Sequence, residues 1–452
     1  MKSAIDTVFA LASGAGVAGV AVIRISGERA FAALEALSGK PIPKPRVATL
    51  RELRDPSRAA RLDKALVVAF KAPASFTGED IVELHLHGGR SVVAGVMEAL
   101  AGIEGLRPAE AGEFSRRAFE QGKLDLTEAE GLNDLIHATT AAQREQALLQ
   151  LDGGLREIYE GWRSRLLGHL AHLEADIDFP DEDLPEGVSG AVLPNILILR
   201  DTIAQYLVDG RRGEMLRDGF RVTILGEPNV GKSTLMNALA KSDVAIVSDE
   251  AGTTRDVIEV SLDLGGYPVR LADTAGLREG AGAVEKEGVR RALQRAEDAD
   301  LRLVLVRADS WPLVSDATQK LLDKRAFLVI TQTDRVPMFH VKHGEVFGDV
   351  AGVAEISVRE DHGLHDLFFQ LEAYVSEIMA PREAPSLTRV RHRTALEQAV
   401  EHLSRFANNA GFDAVLAAED VRMAARALGR ITGRVAVEDM LDIVFGDFCI
   451  GK

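Results

Sequence analysis

The chain has 452 residues, of which 46% are hydrophobic and 27% charged, and a formal net charge of −16. This is ordinary globular composition, long enough for about two to four domains. The acid excess argues against a general nucleic-acid binder, because such binding rests on neutralising phosphates; an RNA contact would need a local basic patch or a partner protein. Cys449, the single cysteine, excludes an intrachain disulfide and fits a reducing compartment. No apolar run has the length of a membrane span, and Asp6 breaks the short apolar stretch near the N-terminus, so a cytoplasmic protein is expected.

Residues 1–120 read as an α+β domain. Gly14, Gly16 and Gly19 have dinucleotide-fingerprint spacing, but a β-branched strand follows, Val20 to Ser26, where the fingerprint needs a helix. They are read as a turn. Further strands are predicted over Ala65 to Phe70 and Asp80 to His87, and a helix over Ser91 to Ala101. Glu83, His85 and His87 share the polar face of their strand. A metal pair at His85 and His87 lacks a third ligand nearby, so a polar strand face is the preferred reading.

Residues 121–217 read as helical. Apolar residues recur at helical spacing over Leu124 to Leu151, Leu166 to Ile177 and Val192 to Leu207. The acidic run Asp178 to Asp183 lacks the ligand series and glycine bend of a calcium loop and is read as a solvated connection.

Residues 218–376 alternate strands and helices, which predicts an α/β domain with a mainly parallel sheet. The strand Phe220 to Leu225 runs into G-E-P-N-V-G-K-S-T, Gly226 to Thr234, and a helix follows. Glycines at Gly226 and Gly231 let backbone N–H groups turn towards a phosphate chain. Lys232 then reaches the β- and γ-phosphates, and the Ser233 hydroxyl reaches Mg2+. Val257 to Leu264 and Tyr267 to Ala272 are strands joined by Gly265-Gly266. They lead into D-T-A-G, Asp273, Thr274, Ala275 and Gly276, the pattern that senses a γ-phosphate. Between the two phosphate motifs lies Ala251, Gly252, Thr253, Thr254, Arg255, Asp256; Thr254 is the first candidate to complete the Mg2+ shell and Thr253 the second. Leu301 to Val306 and Phe327 to Ile330 are buried-strand runs. The base-reading motif, usually N-K-x-D, is Thr331, Gln332, Thr333, Asp334 here. Asp334 can still pair with the guanine N1–H and 2-amino group. Val358 stands in the second base loop, and Leu277 follows D-T-A-G where a water-orienting Gln is common.

Residues 377–452 return to helical patterns over Val390 to Ala407, Asp420 to Leu428 and Val437 to Phe445. Arg382, Arg389, Arg391, His392 and Arg393 form a basic cluster, read as a solvated face with an RNA or partner contact as the alternative. The chain ends F-C-I-G-K. Terminal Lys452 rules out a prenylation box, and the glycine-containing tail is read as mobile enough to carry Cys449 to another active site. The helix-rich stretches flank the α/β domain, which suggests one helical domain with the α/β domain inserted through it.

Several stretches together resemble the MnmE (TrmE) family of tRNA uridine-modification GTPases: G-V-A-V-I-R-I-S-G at Gly19 to Gly27, S-F-T-G-E-D-I-V-E-L-H-L-H-G-G at Ser75 to Gly89, G-K-L-D-L-T-E-A-E at Gly122 to Glu130, D-F-P-D-E-D, the nucleotide motifs and the C-I-G-K tail. The resemblance implies a folate-binding N-terminal domain that forms a homodimer, a helical domain, and an inserted Ras-like P-loop GTPase domain. It implies that Arg24, Glu83, Lys123 and Lys452 contact 5,10-methylene-tetrahydrofolate, or its 5-formyl analogue. It implies K+ activation, with Asn229 as side-chain ligand and Ser248, Glu250 and Thr253 completing the site. GTP would be held by Asn229, Val230, Gly231, Lys232, Ser233 and Thr234, by the loop Ser248, Asp249, Glu250, Ala251, Gly252, Thr253 and Thr254, by Asp273 to Gly276, and by Asp334. Glu285 matches the family's water-orienting glutamate, and Cys449 its tail cysteine. The partner implied is the flavoprotein MnmG, and the substrate the wobble uridine of certain tRNAs, modified at C5 with a carboxymethylaminomethyl or aminomethyl group. The alternative is a GTPase switch in ribosome or RNA assembly. That reading calls for an RNA-binding module such as a KH domain, and no such module is apparent.

Overall fold

The computed structural model describes residues 6–178, 188–242, 244–246, 259–273, 297–341, 349–380, 385–409, 413–435 and 438–451. It divides into two compact units, one of Met1–Asn133, Leu151–Pro185 and Gly411–Lys452, the other of Asp134–Gln150 and Glu186–Ala410.

The first unit is α+β. Six strands, β1 (Thr7–Leu11), β2 (Ala18–Ser26), β3 (Thr49–Arg54), β4 (Arg61–Phe70), β5 (Ile81–Gly88) and β6 (Leu106–Pro108), form a sheet in the order β3-β4-β5-β2-β1-β6. Only β1 and β6 pair in parallel. Alternation sets the two faces. Ile23, Ile25, Val67 and Leu84 point into a core shared with Leu34 and Leu37 of α1 (Ala30–Ser38) and with Val96 and Leu100 of α2 (Arg90–Ala101). Arg24, Glu83 and His85 are on the other face. The unit also holds α3 (Glu113–Glu120), the first part of α4 (Leu126–His137), and the long helix α6 (Gly154–Asp178), which packs along α13 (Ala414–Thr432).

A chain of charges fixes α3 to the sheet. The Ser26 hydroxyl donates to Glu79 at 2.7 Å, Arg117 donates to Glu79 at 3.1 Å and to Glu113 at 2.9 Å, and Arg107 places two bonds on Glu113 at 2.8 and 2.6 Å. Burial opposes the Glu113 charge. The bonds from Arg107, the Glu110 N–H and Arg117 overcome it and hold the carboxyl at about 2, below its ordinary 4.5.

The second unit is α/β. Its strands, β7 (Phe220–Gly226), β8 (Glu259–Leu264), β9 (Tyr267–Asp273), β10 (Leu301–Arg307), β11 (Ala326–Thr331) and β12 (Gly352–Glu355), lie in the order β12-β11-β10-β7-β9-β8, all parallel except β8. β10 and β11 are near-continuous apolar runs because both sheet faces are covered. Gly265 and Gly266, both at positive φ, make the predicted turn between β8 and β9, and the Gly266 N–H donates to Asp263 at 2.7 Å. The remaining helices here include α5 (Ala141–Leu151, through Gln150), α7 (Val188–Asp209), α8 (Arg211–Asp218), α9 (Lys232–Ala240), α11 (Leu364–Met379), which follows the single turn α10 (Asp316–Gln319), and α12 (Val390–Asn409); α14 (Glu438–Gly446) belongs to the first unit.

Two readings change. Leu124 to Leu151 is not one helix. Gln143 Oε1 accepts the N–H groups of Thr139 and Thr140 at 3.0 and 3.2 Å, and the Gln143 N–H donates to the Thr140 hydroxyl at 3.4 Å. This reciprocal cap starts a new helix while the apolar spacing runs on. The basic cluster near residue 390 is not a freely solvated face either. Arg389 pairs with Asp134 at 2.7 Å, Arg393 with Glu214 at 2.9 Å, and His392 is fully buried.

The carboxyl of Glu113 predicts an acid response. Its folded pKa is depressed, so its stabilisation is complete above 4.5 and is lost as pH falls from there towards 2. Glu113→Gln is expected to lower stability at pH 7 by about 1–2 kcal/mol, allowing for solvent screening, and to narrow the gap to wild type at pH 3. Denaturant titrations at both pH values check this; a gap independent of pH would contradict it.

Candidate nucleotide site and N-terminal ligand face

The phosphate loop is shaped by positive φ. Gly226 (149°) ends β7, Asn229 (61°) lies mid-loop, and Gly231 (100°) caps the N-terminus of α9. A Cβ on Gly226 would stand 2.6 Å from Leu305 O, so only glycine lets the chain leave β7 beside β10. Asn229 is a residue type that tolerates the left-handed region. Lys232 Nζ lies across the loop, donating to Gly226 O at 2.8 Å and Glu227 O at 2.9 Å. Ser233 and Thr234 are exposed in the first turn of α9, and Val230 is buried. β9 ends at Asp273 with its backbone opposite Ile224, one strand over from the loop.

The end of β11 builds the second half of the site. The buried Thr331 hydroxyl donates to Val230 O at 2.7 Å, and Gln332 Nε2 donates to Asn229 O at 3.2 Å. Asp334 Oδ1 accepts from the buried Ser357 hydroxyl at 2.7 Å, which fixes the carboxylate and leaves its other oxygen available. Gly231, Thr234, Thr331, Gln332, Asp334 and Val358 are among the residues that line one cavity of about 190 Å3. Asn229, Val230, Gly231, Lys232, Ser233, Thr234 and Asp334 are thus brought to one place. Ser248 to Thr254, Thr274 to Gly276, Leu277 and Glu285, like the terminal Lys452, lie outside the described residues, as does the Asp273 side chain.

In the first unit Arg24 and Glu83 face each other across β2 and β5, with Arg24 Nη2 2.9 Å from Glu83 Oε1. The guanidinium lies over the rings of Phe76 and Phe114 at 5.3 and 5.7 Å. Lys123 is exposed beside the 75–79 loop: a Cβ on Gly78 would be 3.3 Å from its Cε. Cys449 is exposed on a tail that is fastened down rather than swinging as its sequence suggested. Phe448 is buried, Ile450 bridges Ala111, and Gly451 at φ 100° passes so close to Leu11 O that a Cβ would be 2.1 Å from it. His85 and His87 do not converge. His87 Nδ1 is 2.7 Å from Asp63, His85 Nε2 is 3.5 Å from Glu83, and the described residues contain no metal-holding cluster. Phe76, Phe114 and Arg117 escaped the sequence reading as site residues, although Phe76 stood in a stretch, S-F-T-G-E-D, that had drawn notice. Ser357 belongs to the second base loop, Ser357-Val358-Arg359, but its bond to Asp334 was not foreseen.

A phosphate loop at a strand-to-helix turn, an aspartate ending the neighbouring strand and a carboxylate fixed over an adjacent cavity mark the sheet of the second unit as that of a P-loop GTPase domain. The family model described as the GTP-binding protein TrmE N-terminus matches residues 7–123, and that of the MnmE helical domain matches 126–449. The tRNA modification GTPase MnmE of Parvibaculum lavamentivorans is 55% identical over 99% of this chain and 100% of its own length; that of Paramagnetospirillum magneticum is 53% identical over the same shares. The mitochondrial 5-taurinomethyluridine-[tRNA] synthase subunit GTPB3 of Danio rerio is 45% identical over 99% of this chain and 93% of its own. The chain belongs to the MnmE family of tRNA modification GTPases. No helix among the described residues is long and apolar enough to cross a membrane.

Asp334→Asn tests the base-reading role. It is expected to weaken GTP by about tenfold or more and to favour xanthosine nucleotides, whose 2-position carries an acceptor, measured by competition binding. An unchanged preference would mean that Asp334 does not face the base.

Proposed function

We propose that this chain is a K+-activated GTPase that works with an MnmG-type flavoprotein to install a carboxymethylaminomethyl or aminomethyl group at C5 of the wobble uridine of certain tRNAs. The observation that carries the GTPase half is that Gly231 and Thr234, which bracket Lys232 and Ser233 at the start of α9, share one cavity with the fixed carboxylate of Asp334. The substrate follows from family membership across almost the whole chain. The domain plan that accompanies this reading is a folate-binding and dimerising domain over 1–120, a helical domain over 121–217 and 377–452, and the GTPase domain over 218–376, in a cytoplasmic homodimer.

In this reading Lys232 and the loop N–H groups hold the phosphates, and Ser233 and Thr254 supply oxygens for Mg2+. Asn229 offers its side-chain oxygen to K+, with Ser248, Glu250 and Thr253 closing that site. The donor set fits: hard oxygens suit both cations, and the left-handed backbone of Asn229 sets it at the loop's bend. Bound there, the cations neutralise charge that develops between the β- and γ-phosphates. Glu285 orients the attacking water, a task that Leu277 cannot perform. On the N-terminal face, Glu83 paired with an Arg24 that lies over two aromatic rings suits a flat heterocycle with a polar edge, such as methylene-tetrahydrofolate, which supplies the carbon; Lys123 and Lys452 suit its carboxylates. Cys449 is the thiol the tail holds in this unit.

GTP turnover by the full chain is expected to be faster in K+ than in Na+; equal rates would remove the potassium role of Asn229. Glu285→Ala is expected to slow hydrolysis about 10²-fold or more while nucleotide affinity stays within about twofold. Loss of binding instead would point to a structural role. Arg24→Ala is expected to weaken 5-formyl-tetrahydrofolate at least about tenfold by calorimetry with GTP turnover intact; unchanged affinity would remove the folate reading of this face.

A further inference from the structure

The Thr331-Gln332 pair stands where Asn-Lys is usual, and its contacts are defined. Thr331 is 4% exposed. Its hydroxyl approaches two carbonyls, Val230 O at 2.7 Å and Val306 O at 3.4 Å. A threonine hydroxyl carries one hydrogen, whereas an asparagine amide at the same place carries two. The short bond to Val230 O takes the only hydrogen that Thr331 has. Gln332, at φ 57°, turns its amide onto Asn229 O at 3.2 Å. Thr331 therefore has no hydrogen left for a base, and Gln332 has one of its two amide hydrogens on the phosphate loop.

On guanine, the N1–H and 2-amino edge and the N7 acceptor lie on opposite sides of the purine. Thr331 and Gly231 line the same cavity as Asp334, so a base that met Asp334 through its N1–H and 2-amino edge would hold N7 on the Thr331 side. N7 and O6 are acceptors and need a donor. We infer that in this chain Thr331 and Gln332 are positioning residues for the phosphate loop and leave guanine N7 unread, so that selection for the 2-amino edge rests on Asp334. The inference rests on the proposed guanine-nucleotide reading of this cavity and adds to it a specificity that an Asn at position 331 would not have. The chain then keeps a firmly tethered loop, and with it GTP binding, while accepting guanine nucleotides altered at N7.

The test uses the full-length chain with GTP, ITP and 7-deaza-GTP, in which N7 is replaced by C–H. Wild type is expected to bind 7-deaza-GTP within about twofold of GTP and to bind ITP, which lacks the 2-amino group, at least about tenfold more weakly. Thr331→Asn restores a second donor and is expected to prefer GTP over 7-deaza-GTP by about fivefold or more. Thr331→Val removes the tether without touching the base edge, so both nucleotides weaken together and their ratio stays near one; Thr331→Ser retains both the tether and the wild-type ratio. A wild type that binds 7-deaza-GTP more than tenfold worse than GTP overturns the inference and leaves the guanine reading standing. A wild type that binds ITP as well as GTP overturns the guanine reading itself, and the inference with it.

Discussion

The hydrogen bond from the Thr331 hydroxyl to Val230 O, with Gln332 Nε2 to Asn229 O beside it, joins the two halves of the nucleotide site. The phosphate loop otherwise hangs from the end of β7 through residues at positive φ, a backbone that packing must hold in place. Gly226 is pinned against Leu305 O on one side, and Thr331 and Gln332 grip Val230 and Asn229 on the other. The strand order that sets β7 beside β9 and β10, with β11 next, makes those contacts possible. Parallel strands bring their C-terminal ends to one edge, so Gly226, Asp273 and Thr331 meet there as a consequence of topology. Ser357, beyond β12, then fixes Asp334 from a further loop. Sheet topology, loop conformation and the Asp334 carboxylate are one connected arrangement.

The N-terminal unit follows a different logic. Its antiparallel sheet buries one face under α1 and α2 and leaves the other for Arg24 and Glu83. Two opposite charges on adjacent strands need orientation as well as proximity. Phe76 and Phe114 flank the guanidinium, while Ser26, Glu79, Arg117, Glu113 and Arg107 lock the loop and helix that carry those rings. The C-terminal tail is fastened in the same unit through Phe448, Ile450 and Gly451. Cys449 is therefore presented from a backbone held by these contacts.

Much of this was legible in the sequence because it is local. The phosphate loop, the Gly265-Gly266 turn and the apolar runs of β10 and β11 each declare themselves within ten residues. What escaped was tertiary or short. β1, T-V-F-A-L, and β6, three residues long, have too little pattern to separate from loop. α3, E-F-S-R-R-A-F-E, is largely polar, and it is tied to the sheet by Arg117 reaching Glu79, 38 residues away. The break between α4 and α5 was hidden because Thr139, Thr140 and Gln143 interrupt the backbone without interrupting the apolar spacing. Thr331-Gln332 looked like a weakened motif. Their compensating bonds span about a hundred residues, and no window of sequence can show that Thr331 meets Val230. The basic cluster near residue 390 misled for the same reason: its acidic partners, Asp134 and Glu214, are far away in the chain.

The central claim is that GTP hydrolysis in this chain serves chemistry at the wobble uridine of tRNA. Mass spectrometry of wobble uridines in tRNA from cells lacking this chain tests it most directly. The account predicts that the C5 carboxymethylaminomethyl or aminomethyl group disappears from the affected tRNAs and returns when the chain is restored. A modification profile identical to that of the parent cells would contradict it.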